Sequence, residues 1–327
     1  MISVLIPVYN AEYYISETLE CMANQTYKDL EILICDDCSQ DNSVSIINEF
    51  IKKNNNLNIK FFRNYENKGY LKTSNFLVSH ANGEFISFQD ADDLALPDRF
   101  MKLKKHLIDN KLDLVGSYCG LIRNSTKILS IVKYSVMSND IHNDLIRKSH
   151  PPFCGSSILV KSTVINRCGL YNVEFDRIGA EDFDWIYRVA LEGFKLGNVP
   201  EPLYLYRQHI QSVTRLNFEK NKVSLFSELI AKNLYLAKLN NLHHDFDYFK
   251  NEFMRDSDLY MDLVNYKILK NSFLGPKKNL LKNCYLFLLN VRWSREKLLT
   301  LFSALCILIF NYEVFEKIKN FLKMIRG

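Results

Sequence analysis

Asp90, Asp92 and Asp93 fall within four residues, in the stretch FISFQDADDLALPDR that runs from Phe85 to Arg99. The apolar run Phe85-Ile86-Ser87-Phe88 predicts a buried strand, so the three carboxylates gather where that strand ends. Like charges so close repel, and partial desolvation raises the cost. A divalent cation relieves it: hard oxygen donors suit magnesium or manganese, and such a site often uses one or two carboxylates together with substrate phosphates. An isolated DxD also reads as a solvated acidic turn. Two more acidic pairs stand in the chain. Asp36-Asp37 closes the apolar run LEILIC, and Glu181-Asp182 opens the helix-patterned stretch EDFDWIYRVALE. A carboxylate at such a place can take a hydroxyl proton as general base. It is also what the dipole favours in the first turn of any helix.

The elements that must position these acids follow from periodicity. Ser3 to Ile6 predicts a short strand closed by Pro7, and Tyr13 to Ala23 has helical spacing. Leu30 to Cys35 predicts a second strand. Ser39 or Asp41 can cap the next helix, with Val44, Ile47 and Ile51 on its apolar face and Asn54-Asn55-Asn56 breaking it. Ile59 to Phe62 is a third strand, a loop through Asn67 and Gly69 leads into a helix ending near Asn82-Gly83, and Phe85 to Phe88 is the fourth. Pro97 suits the start of the helix after it. Strand and helix alternating at this spacing predict an α/β fold, a mostly parallel sheet flanked by helices. Ligands of such sheets bind beyond the carboxyl ends of the strands. Asp36, Asp37, Asp90, Asp92 and Asp93 all lie at such ends, which favours the metal reading over the solvated turn. No GxGxxG or GxxxxGK[ST] is present, and the first strand-to-helix turn, PVYNAE, has no glycine. Both the dinucleotide fingerprint and the P-loop are therefore disfavoured.

Composition is that of a globular protein, with 327 residues, 47% hydrophobic and 24% charged. The opening MISVLIPVYN lacks a basic flank and reads as a strand, so no signal peptide is expected, and the eight cysteines are expected as reduced cytoplasmic thiols. Cys35 and Cys38 form a CxxC, but no second CxxC completes a zinc set. The net charge of +5 is uneven: residues 1–215 carry 24 Lys+Arg against 26 Asp+Glu, and residues 216–327 carry 18 against 11. A near-neutral body and a basic C-terminal part are expected, with no nucleic-acid partner.

Seven segments, in order, resemble a family 2 glycosyltransferase with the GT-A fold. They are SVLIPVYNAEYYISETL, NQTYKDLEILICDDCSQDNS, ENKGYLKTSN, GEFISFQDADD, HPPFCGSSILVKSTV, EDFDWIYRVALEGF and YRQHIQSVT, and they cover about residues 1–215. The resemblance implies a nucleotide pocket lined by Pro7, Tyr9 and Asp37, with Asp36 beside it: Tyr9 would stack on a nucleobase and Asp37 accept the N–H of a uracil. Asp90 and Asp92 match the family's DxD. Asp92 is then the direct ligand of a manganese or magnesium ion, with Asp93 next to it, and Asp90 meets the ribose or a metal-bound water. Asp182 matches the catalytic base, flanked by Glu181 and Asp184. His209 matches a late histidine that meets the metal or diphosphate, with Arg207 anchoring that loop. Trp185 could stack on a sugar or pack in the core. Many relatives carry an arginine where Ser74 stands before Asn75, and Lys72 is the nearby cation that could face the diphosphate or only solvent.

Residues 216–327 resemble nothing nameable and read as helical. Leu298 to Tyr312 are 15 residues without a charge, short of the ~20 that cross a bilayer. EVFEKIKNFLKMIR follows with amphipathic spacing, and residues 265–327 hold 12 Lys+Arg against 3 Asp+Glu. Such a segment lies on an anionic membrane face or packs as a bundle on the catalytic domain or a second subunit, as in a homodimer. The sequence thus predicts two parts, 1–215 catalytic and 216–327 helical. The expected activity is inverting, metal-dependent transfer from a nucleotide-sugar, UDP-linked, to a saccharide or lipid-linked saccharide at the inner face of the cell membrane, in polysaccharide assembly. A sugar nucleotidyltransferase would want a basic glycine-rich loop after the first strand. A non-catalytic saccharide-binding relative would be expected to have lost an acid from DADD or ED; both are intact.

Overall fold

A computed structural model of the chain describes residues 1–148, 151–209, 221–255 and 295–309, with the short stretches 268–269, 273, 280–281, 283–284 and 287–288. They fall into two compact units, Met1–Arg207 with Glu228–His244, and Gln208–Ser227 with Asp245–Gly327.

The first unit is built on one mixed sheet. Strands β1 (Ile2–Val8), β2 (Leu30–Asp36), β3 (Ile59–Arg63) and β4 (Phe85–Phe88) run parallel, in the order β3-β2-β1-β4. Every residue of β1 and β4 is buried, because helices cover both faces. Helices α1 (Ile15–Ala23), α2 (Ser43–Lys53), α3 (Tyr70–Ser79) and α4 (Arg99–Asp109) form the crossovers. Ile15, Leu19 and Met22 of α1 and Phe100, Leu103 and Leu107 of α4 recur at helical spacing and face one core with Val4, Ile6, Ile32 and Ile34. Each such side chain contributes roughly 1.5–3 kcal/mol by leaving water.

Pro7 lies inside β1, one residue short of its end, where the sequence predicts closure. The Leu5 carbonyl accepts from the Gln89 N–H, so Pro7, two residues on, turns its nitrogen to the same side, past the end of β4 at Phe88. No ladder bond is lost there, and the proline is tolerated.

Beyond β4 the sheet becomes mixed. Strand β5 (Leu94–Ala95), β6 (Leu114–Ile122), β7 (Ser130–Val132), β8 (Leu159–Lys161) and β9 (Leu196–Arg207) complete the order β4-β8-β6-β9-β5, with β7 on β6. β8 is antiparallel to β4 and β6, and β9 is parallel to β6. Helices α5 (Ser138–Arg147), α6 (Ser162–Cys168) and α7 (Glu181–Leu191) lie between these strands, and α8 (Ser227–Leu239) joins the first unit from Glu228 onward.

In the second unit, α9 (Phe246–Arg255) buries Phe246, Phe249 and Phe253, and the Phe253 ring stacks on Phe226 at 5.7 Å. Ala304 and Ile307 of α10 (Arg295–Ile309) join Leu269, Leu280, Cys284 and Phe287 in a small apolar cluster, while Phe302 and Leu305 are exposed. Among the described residues no helix is long and apolar enough to cross a membrane. The amphipathic stretch EVFEKIKNFLKMIR lies outside them.

Candidate active site

The acidic turn sits between β4 at the centre of the sheet and β5 at its edge. Asp90 is fixed by two hydroxyls: Tyr70 donates to Oδ1 at 3.1 Å and Ser156 to Oδ2 at 2.6 Å. Burial, then the charge of Asp92, pushes its carboxyl up to about 6. Asp93 is 1% exposed, and its Oδ1 accepts the Arg207 N–H at 2.6 Å. Desolvation, then its two acidic neighbours, holds it well above the ordinary range. Asp92 is partly exposed, and its carbonyl accepts from Arg207 Nε at 2.8 Å. The Arg207 guanidinium, 4% exposed, also binds the Arg123 carbonyl and Glu17, so it ties the acidic turn to the end of β9 and to α1. His209 lies two residues on, partly buried, in the second unit.

Asp182 and Glu181 open α7. Asp182 Oδ1 accepts the Phe183 N–H at 2.9 Å. Burial pushes Asp182 up to about 6, with the charge of Asp90 adding to it, and pushes Glu181 up to about 8, with the charge of Asp182 adding to it. The charge of Asp90, just beyond β4, thus acts on Glu181 and Asp182 at the start of α7. Gly155 makes room for the Asp182 side chain: a Cβ there would stand 2.9 Å from Asp182 Cβ and Cγ and closer still to Oδ2. Trp185 is 2% exposed, its Nε1–H donates to the Gly169 carbonyl at 2.8 Å, and Tyr171 meets its face edge-on, so it belongs to the core.

Pro7, Tyr9, Asp36 and Asp37 come together at the carboxyl ends of β1 and β2, where the Asp37 N–H donates to the Val8 carbonyl at 2.7 Å. Tyr9 is 50% exposed. Asn10, in the left-handed region at φ 48°, makes the turn that a glycine would otherwise make. Its Oδ1 accepts from the Gln40 N–H and its own N–H donates to Ser39 Oγ, lacing the two turns side by side. Asp36 accepts from the Ser39 N–H at 3.2 Å and keeps Oδ1 without a protein partner. Asp37 spends both oxygens on the next loop: Oδ1 accepts from Asn64 Nδ2 and the Lys68 N–H, and Oδ2 from the Gly69 N–H. Lys72 is paired with Asp176 at 2.8 Å.

The family model of Glycosyl transferase family 2 matches residues 3–169. An uncharacterized glycosyltransferase of Haemophilus influenzae is 30% identical over 250 residues, which are 73% of this chain and 75% of that protein. The chain belongs to glycosyl transferase family 2. An Escherichia coli relative of this transferase, the UDP-Glc:alpha-D-GlcNAc-diphosphoundecaprenol beta-1,3-glucosyltransferase WfaP, is 29% identical over 75% of the chain and 89% of its own length. Among solved structures, S. aureus TarS in complex with UDP matches at a TM-score of 0.55 and 20% identity, covering 97% of this chain and 90% of that one. Mannosyltransferase PcManGT from Pyrobaculum calidifontis, in complex with GDP-Man and Mn2+, matches at 0.55 and 19% identity, covering 98% and 86%. The fold of the family 2 chain is thus GT-A.

The acidic turn of this transferase carries the donor type that suits a divalent cation. Its donors are all hard carboxylate oxygens, three in one turn, and Asp93 Oδ2 is buried without a hydrogen bond of ordinary geometry, the Tyr204 hydroxyl lying near it. Among the described residues no three His, Cys, Asp or Glu side chains form a ready-made cage. Cys35 is buried and its thiol is pushed up to about 12, the reverse of a reactive cysteine.

Several residues that shape the site carry no warning in the sequence. Arg99 is fully buried behind the turn and donates to Gln89 Oε1, Ser87 Oγ and the carbonyls of Phe88 and Ser156. It thereby holds the Gly155-Ser156 loop against the acids. The signal that could have found Ser156 and Tyr70 is their place inside the segments HPPFCGSSILVKSTV and ENKGYLKTSN.

Proposed function

We propose that this family 2 glycosyltransferase moves a sugar, with inversion, from a UDP-sugar to a saccharide carried on a lipid. The observation that carries the reading is Asp182: a carboxylate at the mouth of a helix, given room by Gly155 and held near pH 6 by burial and by the Asp90 charge. A base of that strength is ionised at neutral pH and able to take a proton from an acceptor hydroxyl as its oxygen attacks the anomeric carbon. One carboxylate suffices for inversion, with no covalent nucleophile on the protein. Glu181 sits beside it, its carboxyl pushed up by burial and by the Asp182 charge.

Pro7, Tyr9, Asp36 and Asp37 line the nucleotide end, with the half-exposed Tyr9 ring offered to the base. Asp92 would hold a manganese or magnesium ion, with Asp93 beside it and Asp90 turned to the ribose. When bound, the ion neutralises charge on the departing diphosphate. Support for a lipid-linked acceptor comes from the relative whose name specifies a diphosphoundecaprenol substrate, and from the 12 Lys+Arg against 3 Asp+Glu in residues 265–327, which suit the anionic inner face of a cell membrane.

A panel of nucleotide-sugars tests the reading. With manganese present, one UDP-sugar should stabilise the protein thermally and be hydrolysed slowly, and transfer to a lipid-linked saccharide should give the anomer opposite to that of the donor. A retained anomer, or stabilisation by no nucleotide-sugar, would refute it.

A further inference from the structure

The segment that delivers Asp182 is unusual backbone. Arg177, Gly179 and Ala180 have φ of 58°, 95° and 66°, so three of the four residues before Glu181 lie in the left-handed region, two of them with side chains that disfavour it. Nothing in the local sequence compels this. Such conformations persist when surrounding contacts over-determine them, and those contacts come from α3 and the loop before it. Lys72 Nζ pairs with Asp176 Oδ2 at 2.8 Å. Arg177 donates to the Asn67 carbonyl at 2.9 Å and to its Oδ1 at 3.0 Å. Asn75 bonds the Tyr171 backbone in both directions, at 2.9 and 3.0 Å. Gly69 lets the two segments meet, for a Cβ there would stand 2.9 Å from Asp176 Oδ1. The same loop is gripped from its other side by Asp37.

We propose that Lys72-Asp176 and Asn67-Arg177 form a clamp that positions the catalytic base. Lys72 thus acts through Asp176 on the start of α7, and not as the cation of the donor diphosphate. The clamp rests on the reading of Asp182 as base. It also runs by way of the loop to Asp37, at the nucleotide end of the sheet, so both ends of the site share one support.

Lys72→Met, Lys72→Arg and Asp176→Asn, assayed beside Asp182→Asn, decide the matter. Asp176→Asn and Lys72→Met should each lower kcat on the order of ten- to a hundredfold, as displacement of a reacting group by about an ångström does. Donor KM and UDP affinity should stay within twofold, and Lys72→Arg should recover most of kcat. Lys72→Met weakening UDP binding while Asp176→Asn leaves kcat intact would overturn the proposal and return Lys72 to the diphosphate. A fall in melting temperature with unchanged kcat per folded enzyme in both variants would overturn it too. If Asp182→Asn itself retains transfer, the base assignment fails and the clamp's purpose with it. If Asp182→Asn is dead and both clamp variants are normal, the clamp alone fails.

Discussion

Replacing Gly155 with alanine adds one methyl group at the base and little else. Gly155 is not among the glycines with positive φ, so alanine fits its backbone without strain. The new Cβ would stand 2.9 Å from Asp182 Cβ and Cγ, where ordinary contact begins at 3.4 Å, so the carboxyl group must retreat by about 0.5 Å at its root and further at Oδ2. The side chain is short and rooted in α7, so the shift falls on the carboxylate itself. A displacement of this order at a reacting group costs up to ~10²-fold in rate. Gly155→Ala should therefore lower kcat by about ten- to a hundredfold. UDP affinity, read by calorimetry, should stay unchanged, and the overpacking should cost about 1–3 kcal/mol of stability. Gly193→Ala is the counter-experiment: Gly193 has φ 78° and open space around its Cα, so alanine there should cost about 1 kcal/mol of stability and no kcat. Normal turnover in Gly155→Ala would refute the steric argument and the placement of the base.

Further outcomes follow from the same geometry. The log of kcat/KM should fall with unit slope below about pH 6, as the Asp182 carboxyl takes up its proton; a flat profile down to pH 5 would count against it. Asp182 keeps its proton to about pH 6 when folded and to 3.8 as a free group, so the stability its burial leaves intact below pH 4 is lost as the pH rises through 6. Asp182→Asn should then be more stable than the parent at pH 7, by the order of 1–2 kcal/mol after discounting for partial exposure, and no more stable at pH 4, as denaturant titrations at the two values would show. Asp92→Ala should weaken UDP binding when manganese is present and leave metal-free UDP binding unchanged; an equal loss under both conditions would remove Asp92 from the metal. Arg207→Met removes the side-chain bonds to the Asp92 carbonyl and to Glu17 while keeping the backbone N–H bond to Asp93, and should lower both the melting temperature and the manganese dependence of UDP binding.

The parallel half of the sheet was legible because β1, β2 and β4 are apolar runs buried on both faces, and because α1, α2 and α4 repeat at helical spacing. Strand order beyond β4 was not. β5 has two residues and β7 and β8 three each, too few for any period to register. The extent of β1 escaped for another reason: whether Pro7 ends a strand depends on which neighbour its nitrogen would face, a tertiary matter. The acids stood out because their charge at strand ends is costly and local in sequence. Their keepers did not. Ser156 bonds Asp90 across 66 residues and the Arg207 side chain bonds the Asp92 carbonyl across 115, and a lone serine or arginine carries no sign of such a partner. Likewise Lys72 reads as a surface cation until Asp176 is seen beside it.

The central claim is that the carboxylate of Asp182 takes the acceptor proton. The direct test is transfer from the UDP-sugar selected by the nucleotide-sugar panel, in Asp182→Asn against the parent at pH 7.5, with donor affinity measured on the same samples. The amide keeps the shape of the side chain and cannot accept the proton, so transfer should fall by ~10²–10⁴-fold while donor affinity holds within a few fold. Transfer within a few fold of the parent, or a loss that tracks lost donor binding, would contradict it.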